Sequence, residues 1–247
     1  MALPVMTVDH PVVILARGLG TRLQAVARGK HKTIEMIGDR PILGWILQEL
    51  RAVRPSRLYL HLREPDAEAA ALAAGHVQPV EVVIGPPTGY LPDVVDCARY
   101  GEWFSVIEAD TITHPGALRN FLILADQLGP HADLCMGVAP ASANPNGPAV
   151  VVNASGLVTA VSWKAQPSGL VPLGAWHWTR RMLADAPSFA AHSTSIADYI
   201  TWSIPRGALV APIGFPAGHN INTPADLDHA RRQIRVWTTL EERSIIA

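Results

Sequence analysis

Short strand-like runs alternate with longer helical patterns through the first half of the chain, and this order constrains the fold more than any other feature. The runs rich in aliphatic residues are Val12–Leu15, Arg57–Leu62, Val80–Ile84, Trp103–Ile107 and Leu134–Val138. Patterns with helical spacing lie between them, at Ile42–Val53, Asp66–Ala74, Leu91–Tyr100 and Pro115–Leu128, the last with proline in its first turn. A β-α-β-α order predicts an α/β, Rossmann-like fold whose mostly parallel sheet carries helices on both faces.

The second half of the chain follows a different pattern. Three short strand-like runs lie near turns and predict an antiparallel patch on the sheet: Ala149–Val152, Val158–Trp163 and Gly174–Trp178. The remaining expected elements are helices at Arg180–Ala186, Ile196–Ile204 and Pro224–Thr239, and a strand at Leu209–Pro212. Because no long polar linker divides the chain, we expect a single domain over residues 1–247.

Composition excludes several classes of protein. With 49% hydrophobic and 17% charged residues, the chain is typical of a compact domain and unlike a disordered one. A formal net charge of -1 predicts no general attraction to nucleic acid or to a membrane. Cys97 and Cys135 lie in apolar stretches without metal-ligand spacing, which favours buried reduced thiols in a cytoplasmic protein. No apolar run approaches the ~18 residues of a membrane span, and the N-terminal residues do not resemble a signal peptide.

One loop carries most of the chemical information. It follows the run Val12–Leu15, contains Gly18 and Gly20, and bears five cations with no acid before Glu35: Arg17, Arg22, Arg28, Lys30 and Lys32. Glycines let backbone N–H groups approach an anion, arginine can grip phosphate oxygens with two donors, and lysine adds a point charge. The loop lacks the P-loop pattern and the third glycine of the dinucleotide fingerprint. It therefore predicts a polyphosphate cradle of another kind.

The residues around this loop resemble the signature of a known family. Leu15-Ala16-x-Gly18-x-Gly20-Thr21-Arg22-Leu23, then Lys32 and Gly38-x-Arg40-Pro41-Ile42-Leu43, is similar to the pattern of nucleotidyltransferases that join a nucleoside triphosphate to a phosphorylated acceptor. Sugar-1-phosphate nucleotidyltransferases and phosphocholine or phosphonate cytidylyltransferases belong to this family. The resemblance implies a nucleotide-diphospho-sugar transferase (GT-A-like) fold. Its N-terminal half would bind nucleotide, and about residues 140–220 would bind the acceptor.

The resemblance assigns roles to individual positions of this sequence. Nucleotide contacts fall on Leu15, Ala16, Arg17, Gly18, Gly20, Thr21, Pro87, Thr88 and Gly89. Catalytic cations fall on Arg22, Lys32 and Lys164, with Lys164 and Gly174 near the acceptor phosphate. Departures from the family are Arg17, where glycine or alanine is usual, Tyr90 in place of a small residue, and Trp163 in place of glutamate. Trp176 and His177-Trp178 fit an acceptor pocket and a core or edge strand equally well.

A magnesium ion is the implied cofactor. Asp110 matches the family's metal-binding aspartate, and Mg²⁺ in proteins takes one or two carboxylates plus phosphate oxygens. Glu108 alternates with Asp110 and could share its face. The family's second metal position falls on Asn220 or Asn222, whose neutral amides are weaker ligands than carboxylates. The following Thr223-Pro224 also predicts a helix start, with threonine as N-cap.

The expected reaction is therefore Mg²⁺-dependent nucleotidyl transfer to a small phosphate or phosphonate acceptor, with release of pyrophosphate. The pair His31-Lys32 is more like the choline and phosphonate cytidylyltransferases, which favours CTP. A sugar-1-phosphate nucleotidyltransferase using UTP, dTTP or GTP, a molybdopterin-type enzyme, and a non-catalytic nucleotide-binding relative are the alternatives. Ile234 and Trp237 of the last helix fit packing on their own sheet or on a second subunit, so a homodimer is left open.

Overall fold

The computed structural model describes residues 6–18, 23, 31–163 and 169–246, with side chains described up to residue 237. Several of the predicted site residues lie outside these ranges: Gly20, Thr21, Arg22 and Lys164. Their assignments stay predictions.

Fifteen strands are formed by the described residues: β1 (Met6–Val8), β2 (Val12–Ala16), β3 (Met36–Ile37), β4 (Arg40–Pro41), β5 (Val53–Pro55), β6 (Leu58–Leu62), β7 (Val80–Ile84), β8 (Trp103–Glu108), β9 (Thr111–Thr113), β10 (Leu134–Pro140), β11 (Ala149–Val152), β12 (Val158–Ser162), β13 (Leu170–Thr179), β14 (Val210–Gly214) and β15 (Gly218–Asn220). The α-helices of the same residues are α1 (Ile42–Leu50), α2 (Ala67–Ala74), α3 (Tyr90–Cys97), α4 (Ala117–Leu128), α5 (Ala186–Ala190), α6 (Ile196–Ser203) and α7 (Pro224–Ile246). None of the described helices is both long and apolar enough to cross a membrane.

The central sheet confirms the predicted α/β class. Strands β7, β6, β2 and β8 lie side by side and run parallel. Strand β13 then pairs antiparallel with β8 and with β10, while β10 pairs parallel with β14. The β11–β12 hairpin joins the N-terminal end of β13, which gives the expected antiparallel patch. Strand β2 is central and lies between two parallel neighbours, so its carboxyl end and that of β8 meet at one rim of the sheet.

Alternate residues of the strands pack on opposite faces of the sheet. Val12 and Ile14 of β2 belong to a core that includes residues of α1, α2 and α4, whereas Val13 and Leu15 face residues of α3 and α6. Burial on both faces explains why β2 reads as an unbroken apolar run instead of an alternating one. Both cysteines are buried free thiols, as expected, and burial raises the pKa of each to about 12.

One predicted helix is wrong, and another begins two residues later than predicted. Residues 180–185 form turns, and the short helix α5 begins only at Ala186. Helix α4 begins at Ala117 with Gly116 as N-cap, so Pro115 precedes the helix. In both places tertiary contacts decide the backbone. At 180–185, Arg181 Nε donates a hydrogen bond to the buried Asp133. At the start of α4, Glu49 of α1 accepts a hydrogen bond from the Gly116 N–H at 2.9 Å.

Helix α7 packs on its own chain. Ile234 and Trp237 are 3% and 4% exposed, and they join a cluster with Ile37, Ile42 and Ile112. Of the two packing alternatives for these side chains, the structure thus has the intramolecular one. The cluster anchors the segment before α7 beside the carboxyl end of β8.

Candidate active site

A cleft of about 790 Å³ opens at the carboxyl ends of β2 and β8. Residues predicted from distant parts of the sequence line this one cleft: Leu15, Arg17, Gly18, Lys32, Pro87, Gly89, Asp110, Gly174, Asn220 and Asn222. Two further predicted residues are adjacent to this lining. Ala16 is 1% exposed and its side chain is in the core, and the Thr88 hydroxyl donates to Asp93, which lines the cleft.

Lys32 and Asp110 form the centre of the cleft. A short 3₁₀ helix, Lys32–Ile34, positions the lysine, and the His31 ring caps that helix by accepting from the Thr33 N–H. The Lys32 ammonium donates to the Asp110 carboxylate, and both side chains are largely buried. Asp110 is held in turn because its carbonyl oxygen accepts a hydrogen bond from the Ile221 N–H at 2.7 Å. A cation and a carboxylate are thereby fixed together beside Gly18.

Glu108 lies two residues before Asp110 and is surrounded by donors. Its carboxylate accepts from the Tyr90 hydroxyl, from Trp176 Nε1 at 2.9 Å and from Asn220 Nδ2 at 3.3 Å. Burial raises the pKa of Glu108 to about 7, and the nearby Asp110 charge adds to the shift. Tyr90 stands where the family pattern has a small residue. Its hydrogen bond to Glu108 gives a structural reason for the tyrosine. Sequence reasoning had no signal for this network, because its members are far apart in the chain.

The segment before α7 completes the wall. Asn220 Oδ1 accepts a hydrogen bond from Asn222 Nδ2, and β15 pairs with β9 so that Asn220 lies opposite Thr111. The predicted helix start is confirmed, since Thr223 Oγ1 accepts from the Asp226 N–H while Asp226 accepts from the Thr223 N–H at 2.8 Å.

The oxygen donors of the cleft suit a magnesium ion that takes most of its ligands from a substrate. Within the described part of the chain, no group of three or more His, Cys, Asp or Glu side chains forms a complete metal site. The predicted metal ligands Asp110, Asn220 and Asn222 line the same cleft, together with the Glu108 carboxylate. Mg²⁺ keeps waters and binds through one or two carboxylates plus phosphates, so these residues fit it when a triphosphate is present.

Gly174 forms the floor of the cleft beneath Glu108. Its φ is +52°, in the left-handed region that favours glycine. A Cβ at this position would overlap the Thr111 hydroxyl and lie 3.1 Å from Glu108 Cβ. Trp176 lines the cleft. Trp178 is in the core, and His177 forms a hydrogen bond with Ser105. Of these three candidates for an acceptor pocket, only Trp176 belongs to the cleft.

Arg17, a predicted nucleotide contact, is part of a buried ion pair in the structure. The residue is only 6% exposed, and Nη1 donates to Asp93 Oδ1 at 3.2 Å and to Asp96 Oδ2 at 3.4 Å. Its charge is therefore already paired within the protein. The same Asp93 oxygen accepts from the Thr88 N–H and hydroxyl.

The fold matches solved nucleotidyltransferase structures at low sequence identity. The inositol-1-phosphate CTP transferase from T. maritima aligns with a TM-score of 0.77 and 17% identity, covering 92% of this chain and 97% of that one. HddC from Yersinia pseudotuberculosis aligns at 0.69 and 20% identity, over 91% and 99% of the two chains. A UDP-glucose pyrophosphorylase complexed with UDP-glucose aligns with a TM-score of 0.69 and 13% identity, covering 92% of this chain and 98% of that one. The chain thus shares the α/β fold of these solved structures, in agreement with the fold that the resemblance implied.

No protein family matches the sequence, and no curated protein matches it either. The likeness is therefore one of three-dimensional structure.

Proposed function

We propose that this protein is a Mg²⁺-dependent nucleotidylyltransferase. The observation that carries the proposal is the Lys32–Asp110 pair beside Gly18, in a cleft at the carboxyl ends of β2 and β8. Ligands of open α/β sheets bind at this rim, and the solved structures with this fold bear names of nucleotidyl-transferring enzymes.

In the proposed reaction, an acceptor phosphate or phosphonate oxygen attacks the α-phosphorus of a nucleoside triphosphate. A new P–O bond forms there, the bond to the β-phosphate oxygen breaks, and pyrophosphate leaves with the electron pair. The attacking oxygen is already anionic, so no general base is needed. Catalysis then depends on in-line positioning and on charge neutralisation.

Lys32 is assigned the α-phosphate and the leaving group, because its ammonium lies beside Gly18 in the cleft. Asp110, with Asn220 and Asn222, would hold the metal, which neutralises phosphate charge when bound. Arg22 and Lys164, outside the described residues, are proposed for the β/γ-phosphates and the acceptor phosphate. Gly174, which lines the cleft and packs closely against Thr111 and Glu108, is assigned a place near the acceptor phosphate.

CTP is the favoured nucleotide and a small phosphate or phosphonate the favoured acceptor. The structure gives a reason for the His31-Lys32 pair on which this preference rests, since the His31 ring caps the helix that carries Lys32. The likeness to an inositol-1-phosphate CTP transferase supports CTP, whereas the likeness to a UDP-glucose pyrophosphorylase supports a UTP-dependent sugar-1-phosphate enzyme.

A non-catalytic nucleotide-binding relative is the second candidate. Asn220 and Asn222, at the position of a family carboxylate, favour it, because amides hold a metal more weakly. The presence of both Lys32 and Asp110 in contact favours the enzyme.

Pyrophosphate release tests the proposal. Each of CTP, UTP, dTTP, GTP and ATP would be incubated with Mg²⁺ and a panel of small phosphates, phosphonates and sugar 1-phosphates. We expect release with one nucleotide–acceptor pair and none from the Asp110→Ala variant. Nucleotide binding without release across the panel would favour the non-catalytic relative.

A further inference from the structure

The buried ion pair of Arg17 and Asp93 occurs where this chain departs from the family pattern, and it joins two walls of the cleft. We propose that Arg17 and Asp93 are positioning residues that hold the loop 85–89 in place and thereby set which base the cleft accepts. The inference rests on the proposed nucleotide site, but it concerns base selection and not the transfer step.

Arg17 directly follows β2 and is buried, as is Asp93 of α3 at 5% exposure. Such a pair resists solvent screening, and removing one partner leaves the other charge buried and unpaired. The guanidinium is thus fixed by the two acids of α3, Asp93 and Asp96, and is not available to move with a phosphate.

Asp93 also holds the loop. Its Oδ1 atom accepts from the Thr88 hydroxyl at 2.9 Å and from the Thr88 N–H at 3.3 Å. One carboxylate oxygen therefore connects the end of β2 with loop 85–89. Deleting either link would remove the connection that Asp93 makes between loop 85–89 and the end of β2.

The two glycines of the loop fit this arrangement. A Cβ on Gly85 would lie 3.0 Å from Arg17 Nη2, so the guanidinium packs directly against the backbone there. Gly89 has a φ of +115° and caps α3, and its carbonyl accepts from the Asp93 N–H at 2.9 Å. The loop backbone is consequently fixed at both ends, and Pro87 and Gly89 face the cleft.

Because Pro87 and Gly89 of the fixed loop line the cleft, the proposal places them against the base, and a site built to pair particular donors and acceptors rejects a base that leaves them unpaired. A phosphate-binding Arg17 would behave differently, since every nucleotide carries the same triphosphate. The two roles are separated by a probe without a base, inorganic tripolyphosphate.

The test compares wild type with Arg17→Ala and Thr88→Val. Thr88→Val leaves the ion pair intact and removes one donor to Asp93, so it serves if Arg17→Ala fails to fold. Calorimetry with Mg²⁺ would give the dissociation constants of CTP, UTP, GTP, ATP and tripolyphosphate. Arg99→Ala is the matched control, because Arg99 binds Asp96 from the exposed side and does not contact Asp93.

We expect each test variant to bind the preferred nucleotide about tenfold more weakly, the scale of one lost hydrogen bond to a charged group. The preference over the next nucleotide should shrink, while tripolyphosphate binding stays as in wild type. Equal weakening of all five ligands, or no change in any, would overturn the inference, as would a wild type that binds no nucleotide. Selective nucleotide binding by wild type without pyrophosphate release would remove the proposed reaction but leave this test intact.

Discussion

The ammonium group of Lys32 donates a hydrogen bond to the carboxylate of Asp110, although 78 residues separate them in the chain. The two opposite charges pair with each other, and both side chains are largely buried. A triphosphate and a divalent cation offer the same two groups stronger partners. In the proposed reaction, the pair would therefore place the phosphate-binding cation and the metal-binding carboxylate next to each other before substrate enters.

Replacing Lys32 with alanine should lower kcat by about a hundredfold or more, the loss expected when one preorganised charge contact to the reacting group is removed. Steady-state pyrophosphate release measures the effect. Arg206→Ala is the control, since it removes an exposed cation that bonds to the Trp202 carbonyl instead. An unchanged rate in Lys32→Ala would rule out the assigned role.

Replacing Gly174 with alanine should be far more damaging than replacing Gly156. Both residues have positive φ, +52° and +80°, but nothing lies within 4 Å of a Cβ at Gly156. Gly156→Ala should cost about 1–2 kcal/mol, the strain of a left-handed alanine. Gly174→Ala should cost about 1–3 kcal/mol more, because its methyl group overlaps Thr111. Urea unfolding measures the free energy of unfolding of both variants. An equal loss of stability in the two variants would contradict the packing argument.

Changing Asn220 to aspartate should strengthen metal binding and weaken the metal-free protein. The new carboxylate would lie beside Glu108, to which Asn220 now donates a hydrogen bond at 3.3 Å. We expect a loss of about 1–3 kcal/mol without metal, on the scale of close like charges. Thermal unfolding in EDTA measures the stability of the metal-free protein, and the shift on adding Mg²⁺ measures metal binding. Asn153→Asp, in a remote turn, is the control and should show no change in its response to Mg²⁺.

Unfolding free energy should fall as the pH is lowered from about 6.5, because His177 is buried in neutral form. Burial lowers its pKa from 6.5 to about 3. Between these values the unfolded chain binds a proton that the native state does not. Stability is therefore complete above the unfolded pKa and is lost as the pH drops towards the folded one, by up to about 1.4 kcal/mol per pH unit.

His177→Asn removes this titration and should flatten the dependence between about pH 4 and 6 by that amount. Urea unfolding at several pH values measures the slope. The exposed His131→Asn is the control and should leave the slope as in wild type. A wild-type slope in His177→Asn would mean that other groups cause the pH dependence.

Much of the fold follows from local sequence. Val80–Ile84 and Ala149–Val152 form strands with the predicted bounds, because β-branched runs that end at turns are a local signal for strands. The predicted strand Gly174–Trp178 is longer in the structure, Leu170–Thr179, since pairing with three neighbouring strands extends it. The predicted helix at 180–186 is absent where arginine side chains reach partners distant in the chain.

The sequence by itself determined the α/β class, because strand and helix patterns are local properties, and its resemblance to a family pointed to ten of the residues that line the cleft. Only the tertiary structure decided how those residues are used. It paired Lys32 with Asp110 and surrounded Glu108 with Tyr90 and Trp176. It also placed Arg17, one of the loop cations, in a buried ion pair with Asp93. The physical reason is that the strength of a charge depends on its burial and its partner, and both are set by segments distant in the chain.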